Sequence, residues 1–137
     1  MKSINWLGLV AALVVGQIIG IIWYGTVFSD AWLAAMEMTE AEFVGTEWRM
    51  SLGFINMVVI LIGLDWLIGR LDARSWVGGA KIALTACVCF ALTVVTLDYI
   101  YAAGNLPLVW IDGGYQVLTY VIGGALLGGL KLKAKAT

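Results

Sequence analysis

The 137-residue sequence is 62% hydrophobic and 12% charged, whereas soluble domains are roughly half apolar and about one-quarter charged. Together with a mean hydropathy of +0.96, this composition excludes an ordinary water-soluble fold. It also excludes a disordered chain, which needs low hydrophobicity and high charge. The net charge of −1 offers no basic surface for nucleic acid. Because the chain contains no histidine, it lacks the commonest metal ligand and general base.

Four apolar stretches are long enough to cross a bilayer, since about 20 helical residues span ~30 Å of hydrocarbon. They cover residues 4–27, 50–68, 77–102 and 108–130. We therefore expect one all-α transmembrane domain over residues 1–137, a four-helix bundle surrounded by the lipid bilayer. The first apolar run is too long for the core of a signal peptide and no cleavage site follows it, so we expect it to be retained.

The basic residues predict the orientation, because short cytoplasmic loops carry an excess of Lys and Arg. With both termini inside, seven of the eight basic residues are cytoplasmic and Arg49 alone is outside. This split predicts a multi-pass protein of the bacterial cytoplasmic membrane with cytoplasmic N and C termini. The inside set is Lys2, Arg70, Arg74, Lys81, Lys131, Lys133 and Lys135.

The segment between the first two spans has helix-start signals at two places. Ser29 or Asp30 can cap a short helix, and its Trp32 favours a position in the headgroup layer. Thr39 and Glu42 have the spacing of a capping box, which predicts a new helix that continues into the second span. We expect the short helix that Ser29 or Asp30 caps to lie at the membrane–water interface. The alternative is an acidic cap over an entrance, or a docking surface for a partner.

Glycines recur at helical spacing in the first and fourth spans. Gly16 and Gly20 form one small-x-x-x-small motif, and Gly124 and Gly128 form another. Such pairs let two helix backbones approach closely. They indicate either packing inside the bundle or association between copies.

Four charged residues lie within the spans or at their edges, where ionisable groups are functional candidates by default. Asp65 and Lys81 lie at one depth near the inner ends of neighbouring spans, and Asp98 and Arg49 at one depth near the outer ends. We predict two structural ion pairs, Asp65 with Lys81 and Asp98 with Arg49. The alternative is a proton- or ion-coupling role for either aspartate.

Two amides, Gln17 and Asn56, are the polar residues nearest the middle of the spans. Side-chain amides in lipid form hydrogen bonds between helices, worth about 0.6–2 kcal/mol each. We expect this role for both residues, with the lining of a substrate path as the alternative.

The end of the first span carries a recognisable pattern, Gly-x-x-Trp-Tyr, followed by a Phe and a further Trp. The residues are Gly20, Trp23, Tyr24, Phe28 and Trp32. This pattern resembles the bacterial membrane family called domain of unknown function 1761. The sequence departs from that pattern at Gly25-Thr26, where the family commonly has Ser-Pro. The resemblance implies a small four-helix protein of the cytoplasmic membrane and supplies no activity, cofactor or catalytic residue.

No set of residues in the sequence provides a nucleophile with a base, so we expect no enzymatic activity, metal or cofactor. The composition favours a non-catalytic structural or accessory subunit, or a homo-oligomer that associates through its glycine-rich helix faces. The expected partners are a second copy or a larger membrane protein complex. The alternative is a small oligomeric transporter of a proton-coupled or small-molecule substrate that uses Asp98 or Asp65.

Overall fold

The computed structural model describes residues 4–45, 48–102 and 104–130, and every regular element within them is helical. The predicted cytoplasmic residues Lys2, Lys131, Lys133 and Lys135 lie outside the described residues. The α-helices are α1 (Trp6–Ile22), α2 (Ser29–Met36), α3 (Trp48–Arg70), α4 (Trp76–Ala86), α5 (Leu92–Tyr101) and α6 (Leu106–Gly129). A π-helical turn follows α1 (Trp23–Val27), another joins α4 to α5 (Cys87–Ala91), and a 3-10 turn covers Glu40–Phe43.

Three helical segments are long and apolar enough to cross a membrane. They are Trp6–Val27, Ser51–Arg70 and Trp76–Tyr101. The fourth long helix, α6, has 24 residues and is therefore about 36 Å long at 1.5 Å per residue. It contacts α1, α3, α4 and α5, so it is the helix that the others surround. The all-helical, membrane-compatible fold expected from the sequence is confirmed.

Helices α4 and α6 come into backbone contact through small residues. A Cβ atom added at Gly124 would overlap the carbonyl oxygen of Gly79 and the Cβ of Ala83, and one at Gly128 would overlap the carbonyl oxygen of Ser75. The glycine pair in α6 is therefore used within the chain.

The glycine pair in α1 also faces neighbouring helices. A Cβ at Gly16 would lie 2.8 Å from the sulfur of Met57, and one at Gly20 would lie 3.3 Å from the hydroxyl of Tyr115. Both distances are shorter than ordinary van der Waals contact, so each glycine gives space to a larger side chain of α3 or α6.

A buried ion pair ties the helices together at one end of the fold. The Arg74 guanidinium, from the connection between α3 and α4, pairs with the Asp65 carboxylate and donates a 3.2 Å hydrogen bond to the Leu127 carbonyl oxygen. The Asn5 backbone N–H donates to the Asp65 carboxylate at 3.2 Å. The side-chain amide of Asn5 donates to the carbonyl oxygens of Leu127 at 2.8 Å and Leu130 at 2.6 Å. We call this end, defined by Asn5, Asp65, Arg74 and Leu127, the closed end.

The predicted pairing of Asp65 with Lys81 is wrong. Asp65 is only 2% exposed and is bound by Arg74 and Asn5, whereas Lys81 is exposed. Arg74 takes this place because the α3–α4 connection folds back over the end of α3, where the Ala73 N–H donates a 3.0 Å hydrogen bond to the Ile68 carbonyl oxygen.

The helices are less tightly packed at the opposite end. Residues 51–56 of α3 and residues 96–101 of α5 are all exposed, whereas the buried residues of α3 include Met57, Leu61, Leu64 and Ile68. We call the end that contains residues 51–56 and 96–101 the open end. At this end, one side of α3 and one side of α5 have no neighbouring helix in the described part of the chain.

The connection from α1 to α3 follows the prediction only in part. The short helix forms as α2, and the capping box forms between Thr39 and Glu42. The Thr39 backbone N–H and then its hydroxyl donate to the Glu42 carboxylate, which lowers the pKa of Glu42 from its ordinary value. The helix that starts there is only a 3-10 turn, however, and the predicted continuation into the second span is wrong. The turn ends at Val44, whose backbone is extended, and Gly45 follows with a φ of 83°, a conformation that favours glycine.

Candidate functional site

Two aromatic side chains at the end of α1 bind α6 by hydrogen bonds. The Trp23 indole Nε1–H donates to the carbonyl oxygen of Ile111 at 2.9 Å, and the Tyr24 hydroxyl donates to Asp112 Oδ1 at 2.8 Å. Both aromatic residues are half-buried. They therefore connect α1 to α6 at the open end.

Other rings pack around these two. The Trp23 and Phe28 ring centroids are 4.6 Å apart, and Tyr24 makes edge-on contacts with Trp32 at 5.3 Å and Tyr115 at 5.1 Å. Edge-on pairs at these distances are favourable aromatic geometries. We call Trp23, Tyr24, Phe28, Trp32 and Tyr115 the aromatic cluster.

Glycines and a π turn give the aromatic cluster its space. Gly20 leaves room for the Tyr115 hydroxyl, and a Cβ at Gly114 would lie 2.9 Å from the Trp23 ring. The Phe28 N–H donates to the Trp23 carbonyl oxygen at 2.9 Å, which closes the wider turn. π turns interrupt α-helices frequently at functional sites. The sequence pattern that suggested the family thus corresponds to one packed cluster in space.

A cavity of about 230 Å³ with both polar and apolar lining residues lies between α1, α3 and α6 and shares Tyr115 with the aromatic cluster. Gln17, Asn56 and Gln116 line it together with Met57 and Thr119, among other residues. Gln17 forms an interhelical hydrogen bond as expected, but its acceptor is the weakly accepting Met57 sulfur at 3.4 Å. Asn56 does not form the expected interhelical hydrogen bond with any described residue. Its side chain is exposed and lines the cavity instead.

The structure does not bring Asp98 and Arg49 together, and the predicted pair is wrong. Asp98 is exposed on α5, and Arg49 lies 5.8 Å from the ring centroid of Trp48. The reason is the separation of α3 from α5 at the open end, which leaves each charged side chain on its own helix.

The sequence interpretation missed Asp112 and Tyr115, the two α6 side chains that contact Tyr24. A signal was available, because Asp112 is an acidic residue inside an apolar segment and such residues are costly there. Among the described residues, no group of three or more Cys, Asp or Glu side chains is placed to hold a metal ion. The arrangement is suited to non-covalent recognition by amides, hydroxyls and rings.

We expect Tyr24→Phe to lower the free energy of unfolding by about 1.5–3 kcal/mol, the usual contribution of a hydrogen bond to a charged group. The variant leaves Asp112 without the hydroxyl that it accepts from. Unfolding by SDS in mixed micelles, followed by circular dichroism, measures the change. Tyr101→Phe is the matched control, because Tyr101 is 82% exposed and should behave as wild type. Equal effects of the two substitutions would contradict the role given to Tyr24.

One comparison with known proteins identifies a family. A family model described as "Protein of unknown function (DUF1761)" matches residues 7–128. No curated protein and no solved structure matches the chain. The match covers α1 to α6 almost completely, including the aromatic cluster and the residues that line the cavity.

Proposed function

The chain belongs to the DUF1761 family of proteins of unknown function, and from this premise we propose a non-catalytic, four-span protein of the bacterial cytoplasmic membrane. It works as a homo-oligomer or as an accessory subunit of a larger membrane complex. The observation that carries the proposal is the open end, where residues 51–56 and 96–101 are exposed although they include polar side chains.

The central position of α6 supports a fourth span. Its seven buried residues include Ile111, Thr119 and Leu127, and α1 and α4 pack on it. A helix shielded from lipid by its neighbours tolerates Asp112 and Gln116 more readily than one that faces the acyl chains. This fits the absence of α6 from the three described segments that are apolar enough by themselves to cross a membrane.

The charge distribution supports cytoplasmic termini. Arg70, Arg74 and Lys81 lie at or near the closed end, and Arg49 lies at the start of α3 at the other end. The positive-inside rule therefore supports a closed end on the cytoplasmic side.

Association through the open end follows from the cost of polar groups in lipid. Asn56 and Asp98 are exposed there, and an unpaired polar group in hydrocarbon costs several kcal/mol near the middle of the bilayer and less towards its edge. A second subunit that covers these sides removes part of that cost. Gly124 and Gly128 already pack against α4, so the contact between subunits uses other surfaces.

Native mass spectrometry of the protein extracted gently from its own membrane tests the proposal. We expect a dimer or larger homo-oligomer, or co-purification with further subunits. Ile55→Trp, on the exposed open end of α3, should release a monomer. Ile62→Trp is the matched control, because it lies two turns away on the same side of α3 and away from the open end. A monomeric wild-type protein, or dissociation by Ile62→Trp alone, would contradict the proposal.

A small oligomeric transporter is the second candidate, and the cavity lined in part by amides near the middle of α1 and α6 favours it. Asp65 is already bound to Arg74, and neither Asp65 nor Asp98 lines the cavity. Proton coupling would therefore depend on Asp98 and on its contact with another subunit. A proton flux in vesicles that Asp98→Asn abolishes without loss of folding would favour this candidate over the first.

A further inference from the structure

The cavity between α1, α3 and α6 combines hydrogen-bonding groups with an apolar wall. Three of its side chains are primary amides, and each primary amide carries two donors and one acceptor. The apolar part of the lining includes Phe54, Ile60 and Leu61. The polar lining residues are Gln17, Asn56, Tyr115, Gln116, Thr119 and Tyr120.

The amides have hydrogen-bonding capacity that the described part of the chain does not use. Gln17 donates only to the Met57 sulfur, which is a weak acceptor. Neither Asn56 nor Gln116 has a side-chain hydrogen bond with any described residue, and both face the cavity. Thr119, in contrast, donates to the Tyr115 carbonyl oxygen at 2.7 Å and is already satisfied.

The cavity carries no charge among its lining residues. The nearby acidic groups are engaged elsewhere, Asp112 by Tyr24 and Asp65 by Arg74. Because an ion would lose its hydration shell here without gaining a counter-charge, the cavity favours an uncharged molecule.

The cavity opens near the start of α3. A Cβ added at Gly53 would meet no described atom within 4 Å, and the neighbouring Phe54 is exposed. This opening lies beside α3 in a segment long and apolar enough to span the membrane, so a molecule dissolved in the bilayer has direct access. The volume of about 230 Å³ holds a polar head group of a few heavy atoms, and an attached apolar chain would extend past Gly53.

We propose that this cavity binds one uncharged amphiphile from the bilayer, with hydroxyl or carbonyl groups held by Gln17, Asn56 and Gln116 and an apolar chain directed out beside Gly53. The amides donate to and accept from the head group, and the apolar wall contacts the first part of the chain. All the residues that form the site belong to a single chain. Because the exit beside Gly53 lies in residues 51–56 of the open end, the inference rests on a contact between subunits that leaves this exit free.

Thermal unfolding of the purified protein in detergent, followed by tryptophan fluorescence, tests the site with 1-monodecanoylglycerol as the probe. We expect a saturable rise in Tm with this probe. Decanoate has the same chain length and a charged head, and free glycerol has the hydroxyls without the chain; neither should raise Tm. An equal rise with decanoate would show nonspecific insertion, and an equal rise with glycerol would show an aqueous ligand. Either result overturns the proposal.

Amide-removing variants then locate the site. Gln116→Leu should weaken binding of 1-monodecanoylglycerol at least about tenfold, the loss expected for unpaired polar groups in a recognition site. Asn56→Leu provides a second variant whose exposed position spares the fold. Thr85→Val, at an exposed residue of α4 outside both the cavity and the open end, is the control and should bind as wild type. Unchanged binding by both leucine variants would overturn the proposal.

Discussion

Arg74→Met is expected to lower the free energy of unfolding by about 3–5 kcal/mol, because it leaves a buried carboxylate without its counter-charge. Asp65 is 2% exposed, and Arg74 both pairs with it and donates to the carbonyl oxygens of Asp65 and Leu127. Unfolding by SDS in mixed micelles measures the change. The double variant Arg74→Met/Asp65→Leu should recover part of the loss, since it removes the buried charge as well.

Arg70→Met is the matched control for this experiment. Arg70 lies at the exposed end of α3, with its guanidinium 5.8 Å from the ring centroid of Trp66. An exposed contact of this kind contributes about 0.5–1 kcal/mol. If Arg70→Met destabilised the protein as much as Arg74→Met, the ion pair with Asp65 would not be what holds the closed end together.

Gly124→Ala is expected to destabilise the protein by about 1–3 kcal/mol, the usual cost of forcing an extra methyl group into a packed contact. The added Cβ would overlap the Gly79 backbone and the Ala83 side chain, and neither can move aside without separating α4 from α6. Gly79→Ala should have an effect of similar size, because it adds a methyl group to the same contact from the other helix. The same SDS titration measures both variants.

The control for the glycine variants is Gly63→Ala in α3, where a Cβ would meet no described atom within 4 Å. This substitution should leave stability unchanged or raise it by up to about 1 kcal/mol, because alanine favours the helix over glycine. Gly124→Ala as stable as Gly63→Ala would show that α4 and α6 do not come into backbone contact.

The sequence predicted the position of the long helices well, because a run of about 20 apolar residues can be recognised from hydropathy along the chain. It predicted the partner of Asp65 poorly. Lys81 lies at a suitable depth on the next helix, but the partner is Arg74, which a sharp turn after α3 carries back over Asp65. Depth can be inferred from position in a span, whereas the path of a short connection depends on backbone hydrogen bonds that hydropathy does not record.

In the aromatic cluster, too, the sequence predicted the residue pattern but not the contacts. The pattern around Trp23 and Tyr24 at the end of the first span suggested the DUF1761 family, and the family model that matches residues 7–128 confirms it. Their hydrogen bonds to Ile111 and Asp112 depend on the π turn after α1, which adds one residue to a helical turn. Helical periodicity assumes 3.6 residues per turn, so it does not predict which side of α1 these two side chains occupy.

The side of the membrane on which the C terminus lies shows whether α6 crosses the bilayer as a fourth span. We expect a C-terminal green fluorescent protein fusion to fluoresce and a C-terminal alkaline phosphatase fusion to be inactive, because four spans return the chain to the cytoplasm. A phosphatase fusion after Gly45, in the connection before α3, is the control and should be active. An active C-terminal phosphatase with a dark fluorescent fusion would mean that α6 does not cross the membrane, and the proposed four-span topology would be wrong.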